Sequence, residues 1–492
     1  MATRRSVHPK LFTDLPHFFR RLSSSVPPFT SAAQQAYFAL EFDSLNFSER
    51  RTTTQFYSIV NLNDTKKLFA SVPTKKLIKS TATLALCSKS YMVTLGTHVM
   101  NSKLMENRIS KGIVLGVIKH TFYDHFCGGE NLKEADLTVK RLAKSGLKAM
   151  LDYGLEHAVD EASCDSNLEE FLRTIESAKT ATSDSPISYI VVKITAICPP
   201  SLLERVSDLL RWEYKTKSLN LPWKLDCLPI FADSSPFYHT LTEPNPLTFE
   251  EERSLEKAYK RLIKICENSL EADIPLLIDA EDTSIQPAID YFAYTAAIRY
   301  RRETGPLVFN TMQAYRIDAE ERLEMARKAA EERGMILGIK LVRGAYMSSE
   351  RRLAESLGAI SPIHDTATET HKCFNKCAAL MLQAVADGSG SVVMATHNVV
   401  SGKKAAVKAI GLGIKKDNPN LHFAQLYGMA EALSYGLSNA GFKVSKYLPF
   451  GPVEQIMPYL LRRAEENESL LGASTSDRTL MWDEVKRRVK SF

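Results

Sequence analysis

The sequence lacks the signatures of several common protein classes. No apolar run approaches the roughly 18 residues that span a bilayer, and we expect the longest candidate, IVLGVI at 113–118, to be a core helix. There is no GxGxxG after a strand, no GxxxxGK[ST] and no HExxH. A Rossmann dinucleotide site, a P-loop and a zincin-type metal site are therefore all unsupported.

Paired cysteine motifs and a strong charge of one sign are also missing. The eight cysteines form no set of CxxC pairs, and only Cys373 and Cys377 lie one helical turn apart. We expect reduced, mostly buried thiols and no metal site. The 63 basic and 57 acidic side chains leave a net charge of +6, spread evenly along the chain. This balance argues against a nucleic-acid partner.

The first 40 residues differ from the rest of the chain. They carry five basic residues against one acidic residue, and serine and threonine are plentiful. An Arg-rich, acid-poor start of this kind is typical of a transit peptide into an organelle. The alternative is a disordered basic tail. Either way, residues 1–40 stay outside the fold argument.

The remaining chain divides into a helical arm and a repeating α/β region. Residues 64–146 show broad apolar stripes without strand alternation, which predicts an N-terminal helical arm. From 147 to 492, short apolar runs alternate with helical sequence, which predicts a distorted (βα)8 barrel of the TIM type. Residues 201–246 form an unusually long connection, predicted to be an insertion, and a last helix is predicted over Ser476–Val489. The eight predicted strands are Leu147–Gly154, Ile187–Ile197, Ile274–Glu281, Pro306–Tyr315, Ile336–Tyr346, Ser391–Asn398, Leu421–Met429 and Val444–Gly451.

The stretch after the eighth run, YLPFGPVEQIMPYLLRRAEEN at 447–467, reads as a strand end, a turn and a helix. Pro458 predicts a kink or a fresh helix start. Arg462 and Glu466 share a helix face, while Arg463 is turned away by about 100°. An Arg-Arg pair is usually a solvated face, but its position after the last strand of a barrel makes this pair a candidate for the active site.

Polar side chains recur where the predicted strands end. Active sites of parallel barrels lie at the carboxyl ends of the strands, and a polar residue inside an apolar strand is costly unless paired. Together with Arg462, Arg463 and Glu466 of the following helix, the balance of charge is cationic, which favours a carboxylate or phosphate ligand. The strand-end residues are Asp152, Lys193, Asp279, Gln313, Lys340, Arg343, Tyr346, Thr396, His397, Asn398, Gln425, Tyr427 and Tyr447.

These residues alone leave three functions open. Lys193 or Lys340 could form a Schiff base with a carbonyl substrate, as in barrel aldolases. The basic side chains at the strand ends could instead hold a large anionic cofactor together with a small carboxylate substrate. The third alternative is a binding protein without chemistry.

Six motifs in order along the chain resemble those of the proline dehydrogenase family, which includes the barrel domain of bacterial proline utilization A. The motifs are VVKITA (191–196), IDAED (278–282), KLVRGAY (340–346), ATHN (395–398), AQLYGM (424–429) and Y…YLLRRAEEN (447–467). The resemblance covers roughly 80–467 and is closest to mitochondrial, plant-like, monofunctional members. It implies FAD-dependent oxidation of L-proline to Δ1-pyrroline-5-carboxylate, with electrons passed to quinone.

The resemblance also implies roles for individual residues. Lys193, Arg462 and Arg463 would bind the substrate carboxylate, and Tyr346, Leu426 and Tyr447 would wall the pyrrolidine ring. Asp279 and Lys340 would be catalytic, Lys340 standing near flavin N5 where bacterial members more often have Arg. This lysine keeps the charge without the planar fork. Non-covalent FAD contacts would come from Ala280, Gln313, Val342, Arg343, Gly344, Ala345, Thr396, His397, Asn398, Gln425 and Glu466.

Tyr447 bears on substrate choice. In the family a tyrosine here suits proline, whereas the hydroxyproline-oxidising branch has a smaller residue. Hydroxyproline is therefore the nearest alternative substrate. The resemblance further implies a mitochondrial location with peripheral contact to the inner membrane.

Overall fold

Eight parallel strands close into a barrel in the order β1-β2-β3-β4-β5-β6-β7-β8. The computed structural model describes residues 59–87, 98, 102, 105–154, 157–179, 186–217, 219–469 and 471–490. The predicted (βα)8 barrel is thereby confirmed. The strands are β1 Lys148–Tyr153, β2 Ile187–Val192, β3 Leu276–Ile278, β4 Val308–Gln313, β5 Leu337–Val342, β6 Gly390–Ala395, β7 Leu421–Leu426 and β8 Val444–Phe450.

Helices surround the barrel, and several begin at capping boxes, in which two side chains satisfy backbone N–H groups at the helix start. Asp160 with Ser163 and Thr248 with Glu251 are two such pairs. The arm contains α1 Thr65–Leu68, α2 Thr74–Cys87, α3 Arg108–Ile118, a π-turn Lys119–Tyr123, α4 Asp124–Phe126 and α5 Leu132–Lys144. The later helices are α6 Glu161–Ala178, α7 Pro200–Thr216, α8 Phe249–Glu271, α9 Gln286–Arg299, α10 Ala319–Glu332, α11 Met347–Ser356, α12 Ala367–Ala386, α13 Val399–Gly411, α14 Glu431–Asn439, α15 Val453–Ser469 and α16 Leu471–Lys490.

The barrel interior is a packed core. A cluster separate from the main core is built only from strand residues, as expected of side chains that point inward from a closed sheet. Tyr189 lies at its centre, with its ring edge-on to Phe309 at 5.2 Å and to His422 at 5.3 Å. The members are Met150, Tyr189, Val191, Leu277, Phe309, Val393 and Ala424, with Ala395 and Tyr447 packed against them.

This interior cluster determines which polar residues face the barrel mouth. Strand side chains alternate, so the residue two positions further along points to the same side. Asp152, Lys193 and Asp279 stand two residues beyond Met150, Val191 and Leu277. They therefore lie above the apolar interior cluster, at the carboxyl end of the barrel.

The helix that follows β8 leaves the outer wall of the barrel. The main contacts of α15 are with α2, the π-turn, α3 and α16, all in the arm or the C-terminal region. Helix α5 of the arm packs instead on β1 and β8. The arm thus covers the strands that the eighth helix leaves uncovered, and this exchange is the distortion of the barrel.

Two details of the sequence prediction need correction, and one alternative is decided. Of the two alternatives for Pro458, the fresh helix start is excluded, since Pro458 lies inside the single helix α15. IVLGVI at 113–118 is not a core helix, because α3 buries none of its residues. Strand β3 is only three residues long, shorter than the apolar run that predicted it.

The remaining observations on the described chain concern the long connection, the cysteines, metal ligands and membrane-spanning helices. Residues 201–246 comprise most of α7 and an irregular stretch whose Leu228 and Ala232 are fully buried. Seven cysteines are free thiols, namely Cys127, Cys164, Cys198, Cys227, Cys266, Cys373 and Cys377. In the described ranges, no group of three or more His, Cys, Asp or Glu residues could hold a metal ion. No described helix is both long and apolar enough to cross a membrane.

Candidate active site

A chain of five charged and polar side chains crosses the mouth of the barrel. The ammonium of Lys193 donates to Oδ1 of Asp152 at 2.6 Å and to the hydroxyl of Tyr447 at 3.1 Å. The Tyr447 hydroxyl donates to Oδ2 of Asp279 at 2.8 Å, and Oδ1 of Asp279 accepts from the ammonium of Lys340. Strands β1, β2, β3, β5 and β8 thus place one mutually bonded group each at the same end. We call these five residues the mouth network.

The two carboxyl groups of the mouth network differ in electrostatics. Burial outweighs Lys193 and raises the pKa of Asp152. Burial would also raise the pKa of Asp279, but Lys340 and Lys193 together outweigh it and lower the pKa. Burial, with Asp152 and Asp279 nearby, raises the pKa of the Tyr447 phenol well above its ordinary value. At neutral pH, Asp279 is therefore ionised and Tyr447 is a proton donor.

Arg343 forms a second cluster directly after β5. Its guanidinium donates to Nδ1 of His371 at 3.1 Å, to Oγ1 of Thr396 at 2.6 Å and to Oγ of Ser401 at 2.8 Å. Its carbon lies 4.4 Å from the centroid of the Phe374 ring. All three acceptors are neutral, and burial lowers the Arg343 pKa to about 10. Such a charge fits an anionic ligand group.

Residues at the carboxyl ends of β6 and β7 hold each other in position through hydrogen bonds. The Leu426 N–H donates to Nε2 of His397 at 3.1 Å, and the Gln425 amide nitrogen donates to the Thr396 carbonyl at 3.3 Å. Burial, with help from Arg463, lowers the pKa of His397 to about 3. His397 is therefore a neutral imidazole with Nε2 as acceptor. Asn398 caps α13 by accepting from the Ser401 N–H at 2.9 Å.

Gln313 and Gly344 have contrasting surroundings. The Gln313 amide nitrogen donates to the Glu281 carbonyl at 2.9 Å, but its buried amide oxygen has no hydrogen-bond partner in the described part of the chain. Gly344 has φ of +134°, and a Cβ there would lie 2.5 Å from the Tyr315 ring. The close approach that requires this glycine is therefore to Tyr315.

The arginine pair lies on α15, directly after β8. Arg463 is 5% exposed, with its guanidinium carbon 4.9 Å from the Tyr459 ring centroid. Its charge contributes to the lowered pKa of His397 just after β6, and its low exposure keeps Arg463 out of bulk water. Arg462 is half-buried. The Glu466 side chain lies outside the described residues.

The other candidate residues follow the strand ends as the motifs predicted. Ala280, Val342 and Tyr346 are half-buried and Ala345 is exposed. Tyr346 immediately precedes α11. These residues belong to the same face of the barrel as the mouth network.

Sequence reasoning left three residues of this face without a role. Asp152 was noted at a strand end, but its pairing with Lys193 gives it a place in the mouth network. His371 and Ser401 hold Arg343 from α12 and α13. They are 28 and 58 residues away from Arg343 in the chain, and no local pattern marks them.

A sequence profile described as proline dehydrogenase matches residues 135–475 of this chain. The chain belongs to the proline dehydrogenase family. The match spans all eight strands and α15, and so includes both the mouth network and the arginine pair.

Individual relatives agree with the family assignment. The chain is 54% identical to proline dehydrogenase 1, mitochondrial, of Arabidopsis thaliana, over 89% of this chain and 88% of the relative. It is 31% identical to hydroxyproline dehydrogenase of Rattus norvegicus, over 85% of this chain and 92% of the relative.

The fold of this chain can be compared with that of a solved structure. Proline utilization A from Bdellovibrio bacteriovorus, inactivated by N-propargylglycine, superposes with a TM-score of 0.57 at 19% identity. The superposition covers 80% of this chain and 37% of that longer chain. At this identity the likeness supports the barrel fold alone.

Proposed function

We propose that this protein oxidises L-proline to Δ1-pyrroline-5-carboxylate, with non-covalently bound FAD as the hydride acceptor and a quinone as the final electron acceptor. The observation that carries the proposal is the mouth network, which presents two ammonium groups, an ionised carboxylate and a phenol around one opening. Adjacent to it, α15 supplies two guanidinium groups. A small amino acid with a carboxylate and a compact apolar ring suits this combination.

Each part of the substrate has a proposed partner. Lys193, Arg462 and Arg463 bind its carboxylate, and the Arg463 guanidinium is already withdrawn from water, where such pairing is strongest. Tyr346, Leu426 and Tyr447 wall its ring. Fixing the carboxylate determines which ring carbon faces the oxidant, an orientation effect that contributes several kcal/mol in favourable cases.

The charges at the barrel mouth also favour one protonation state of the substrate nitrogen. The lone pair of the substrate nitrogen must be free before an imine can form. Lys193 and Lys340 disfavour a third ammonium group beside them, and so favour the neutral amine of the bound substrate. Asp279, ionised and held by Lys340, keeps Tyr447 oriented through its hydroxyl. These are the catalytic roles proposed for Asp279 and Lys340.

The residues present fit FAD. Arg343 is a half-buried guanidinium whose described acceptors are all neutral, which suits a phosphate of the dinucleotide. The start of α13 beside Thr396 and Asn398 adds backbone N–H groups that favour an anion. The unsatisfied Gln313 amide oxygen can accept from a ring N–H. Bound flavin supplies hydride acceptance, which no protein side chain provides.

The remaining proposed contacts with FAD come from strand-end residues. Gln425, held by Thr396, and neutral His397 present fixed polar groups on the same face. Ala280, Val342, Gly344 and Ala345 would contact FAD through small or apolar surfaces. Glu466 completes the proposed set.

The proposed domain organisation follows from these assignments. Residues 1–40 act as a mitochondrial transit peptide, 64–146 form the helical arm, and 147–492 form the FAD-binding barrel with the 201–246 insertion. Residues 1–40 lie outside the described part of the chain. The mitochondrial names of the relatives support the location.

A visible absorption spectrum tests the proposal. The purified protein is expected to be yellow, to release free FAD on heating or acidification, and to lose its colour when L-proline is added without an acceptor. Addition of a soluble quinone should restore the colour. A colourless protein that borohydride traps covalently with a keto substrate would instead support the Schiff-base alternative.

A further inference from the structure

Helix α11 directly follows the strand-end residues of β5, yet little of it is buried. Of its ten residues, only Glu350 and Ala354 are buried. No other described helix or strand packs extensively on it. Short helices owe most of their stability to tertiary contacts. The few buried groups of α11 therefore determine where this helix lies.

One of these buried groups is a carboxylate. Glu350 is 1% exposed. Its Oε1 accepts a hydrogen bond of 2.6 Å from the N–H of Thr283, and its Oε2 accepts from the Thr283 hydroxyl. Thr283 lies in the loop between β3 and α9, four residues beyond Asp279. The Glu350–Thr283 contact thus holds α11 to the loop that follows β3 at the barrel mouth.

The insertion between β2 and β3 fixes Thr283 from the other side. Nε2 of His239 lies 2.8 Å from Thr283 Oγ1, and the hydroxyl of Tyr238 lies 3.3 Å from it. Because the one hydroxyl proton of Thr283 goes to Glu350, both of these groups donate to the oxygen. Burial lowers the pKa of His239 to about 3, so the imidazole is neutral, with its proton on Nε2.

The first turn of α11 connects Glu350 to the proposed substrate site. The N–H of Glu350 donates to the Tyr346 carbonyl at 3.0 Å, and Oγ of Ser349 donates to the same carbonyl at 2.8 Å. A displacement of Glu350 therefore moves Tyr346 as well. Gly344 and Ala345, two of the proposed FAD contacts, immediately precede this tyrosine.

We propose that Glu350 is a positioning residue, which places the Tyr346 ring against the substrate by holding the start of α11 to Thr283. The insertion supports this contact through Tyr238 and His239, which gives that segment a role. The contact itself is a feature of the fold. Its effect on the substrate rests on the proposed function, in which Tyr346 walls the ring.

Two substitutions break the contact from opposite sides. Glu350→Gln keeps the shape of the side chain but places an amide NH₂ group where an oxygen accepted from Thr283. Thr283→Val keeps the shape and the backbone N–H but removes the hydroxyl. Thr283→Ser retains both donors and is the matched control. Glu484→Gln controls for general loss of stability, because Glu484 is buried on α16 and pairs there with Arg487 and Arg488.

Limited digestion of the full chain with trypsin tests the contact independently of activity. Arg351 and Arg352 of α11 are exposed, and trypsin cleaves after them when the helix opens. Cleavage at these bonds, identified by mass spectrometry, should be at least about tenfold faster in Glu350→Gln and Thr283→Val than in the wild type. Both controls should match the wild type. Equal rates in all five proteins would overturn the proposal.

Steady-state kinetics test the effect on Tyr346. The inhibition constant Ki of L-pipecolate, whose ring has one more methylene, is compared with the KM for L-proline. A displaced wall discriminates ring size less well, so the ratio of Ki to KM should fall about fivefold or more in Glu350→Gln and Thr283→Val. General loss of stability reduces the amount of active enzyme but leaves this ratio unchanged, as expected for Glu484→Gln. A wild-type ratio in both test variants would overturn the positioning role, even with faster cleavage.

His239→Phe tests the contribution of the insertion. It removes a donor to Thr283 but keeps a ring, and should change the cleavage rate and the Ki/KM ratio by about threefold in the same direction as Thr283→Val. Wild-type values of both would overturn the role of the insertion. A wild-type protein that does not oxidise proline would refute the proposed function, whereas the cleavage rates would still support or overturn the Glu350–Thr283 contact.

Discussion

The hydroxyl of Tyr447 donates a hydrogen bond of 2.8 Å to Oδ2 of Asp279, while Oδ1 of the same carboxylate accepts from Lys340. Asp279 therefore fixes the last strand of the barrel against the third and the fifth. Since Lys193 also donates to the Tyr447 hydroxyl, this ring is held by its polar end and offers its face to the mouth.

Substitution of Tyr447 should change the choice between proline and hydroxyproline. Tyr447→Ser removes the ring and opens room for a hydroxyl, so the ratio of kcat/KM for hydroxyproline over proline should rise about tenfold or more. Tyr447→Phe keeps the ring and loses only the hydrogen bonds, and should leave that ratio nearly unchanged. Steady-state kinetics on both substrates measure the effect; an unaltered ratio in the serine variant would refute the wall assignment.

Replacement of either arginine of α15 should weaken proline binding without loss of FAD. Arg463→Met removes a guanidinium that is 5% exposed, and Arg462→Met removes its half-buried neighbour. Each should raise KM for proline by roughly 30-fold or more, as expected when one partner of a desolvated charge pair is lost.

The absorbance ratio of flavin to protein provides the control for the arginine variants and should match that of the wild type. Lys111→Met is a matched control, because it breaks an exposed ion pair between α3 and Glu454 of α15, the helix that carries both arginines. It should leave KM unchanged. A KM that stays at the wild-type value in both arginine variants would exclude them from carboxylate binding.

Loss of the Arg343 charge should weaken FAD binding more than it weakens the fold. Arg343→Met should raise the Kd for FAD about 30-fold or more. The free energy of unfolding of the apoprotein should change by less than about 1 kcal/mol, because the described acceptors of Arg343 carry no charge. Flavin titration and denaturant unfolding of the apoprotein measure the two quantities separately.

Arg322→Met is the matched comparison for Arg343. Arg322 is more deeply buried, at 4% exposed, and pairs with the buried carboxylate of Asp290. Its removal leaves that carboxylate uncompensated and should cost about 3–5 kcal/mol of stability. If Arg343→Met destabilises the apoprotein as strongly and leaves FAD affinity intact, Arg343 is a structural residue.

The buried Asp477 of α16 should make stability depend on pH. It accepts from the N–H groups of Glu431 and Ala432 at the start of α14, at 3.0 and 2.7 Å. Burial raises its pKa from 3.8 to about 6. The folded state then holds its proton more tightly than the unfolded state, so this stabilisation is complete below pH 4 and is lost as pH rises through 6.

Comparison with Asp477→Asn isolates that contribution. The wild-type free energy of unfolding, minus that of the variant, should fall by about 2 kcal/mol between pH 4 and pH 7. Urea titrations at several pH values measure the difference. A difference that stays constant with pH would mean that Asp477 has an ordinary pKa in the folded protein.

The eight strands could be predicted from the sequence because each is a short apolar run, and several of the runs end in a polar or charged residue. Their position where predicted strands end then predicted that Asp152, Lys193 and Asp279 lie at one end of the barrel. The pairing among them depends on contacts between strands far apart in the chain, and position along a strand alone does not specify it.

Other features of the molecule had no local signal. The periodicity of α3 predicts an apolar face but not whether protein or another medium covers it, which is why IVLGVI was wrongly assigned to the core. The support of Arg343 by His371 and Ser401, and the packing of α5 where the eighth helix would lie, are tertiary arrangements. No propensity of α5 or α15 taken separately indicates them.

The exchange between α5 and α15 has a consequence for dissecting this protein. Leu142 of α5 is buried, and so are Leu147 and Leu448 on the strand side. A fragment starting at β1 would lack α5. It would therefore expose the outer surface of β1 and β8, the two strands whose pairing closes the barrel. The arm is therefore an integral part of the folded barrel and cannot be removed without exposing its strands.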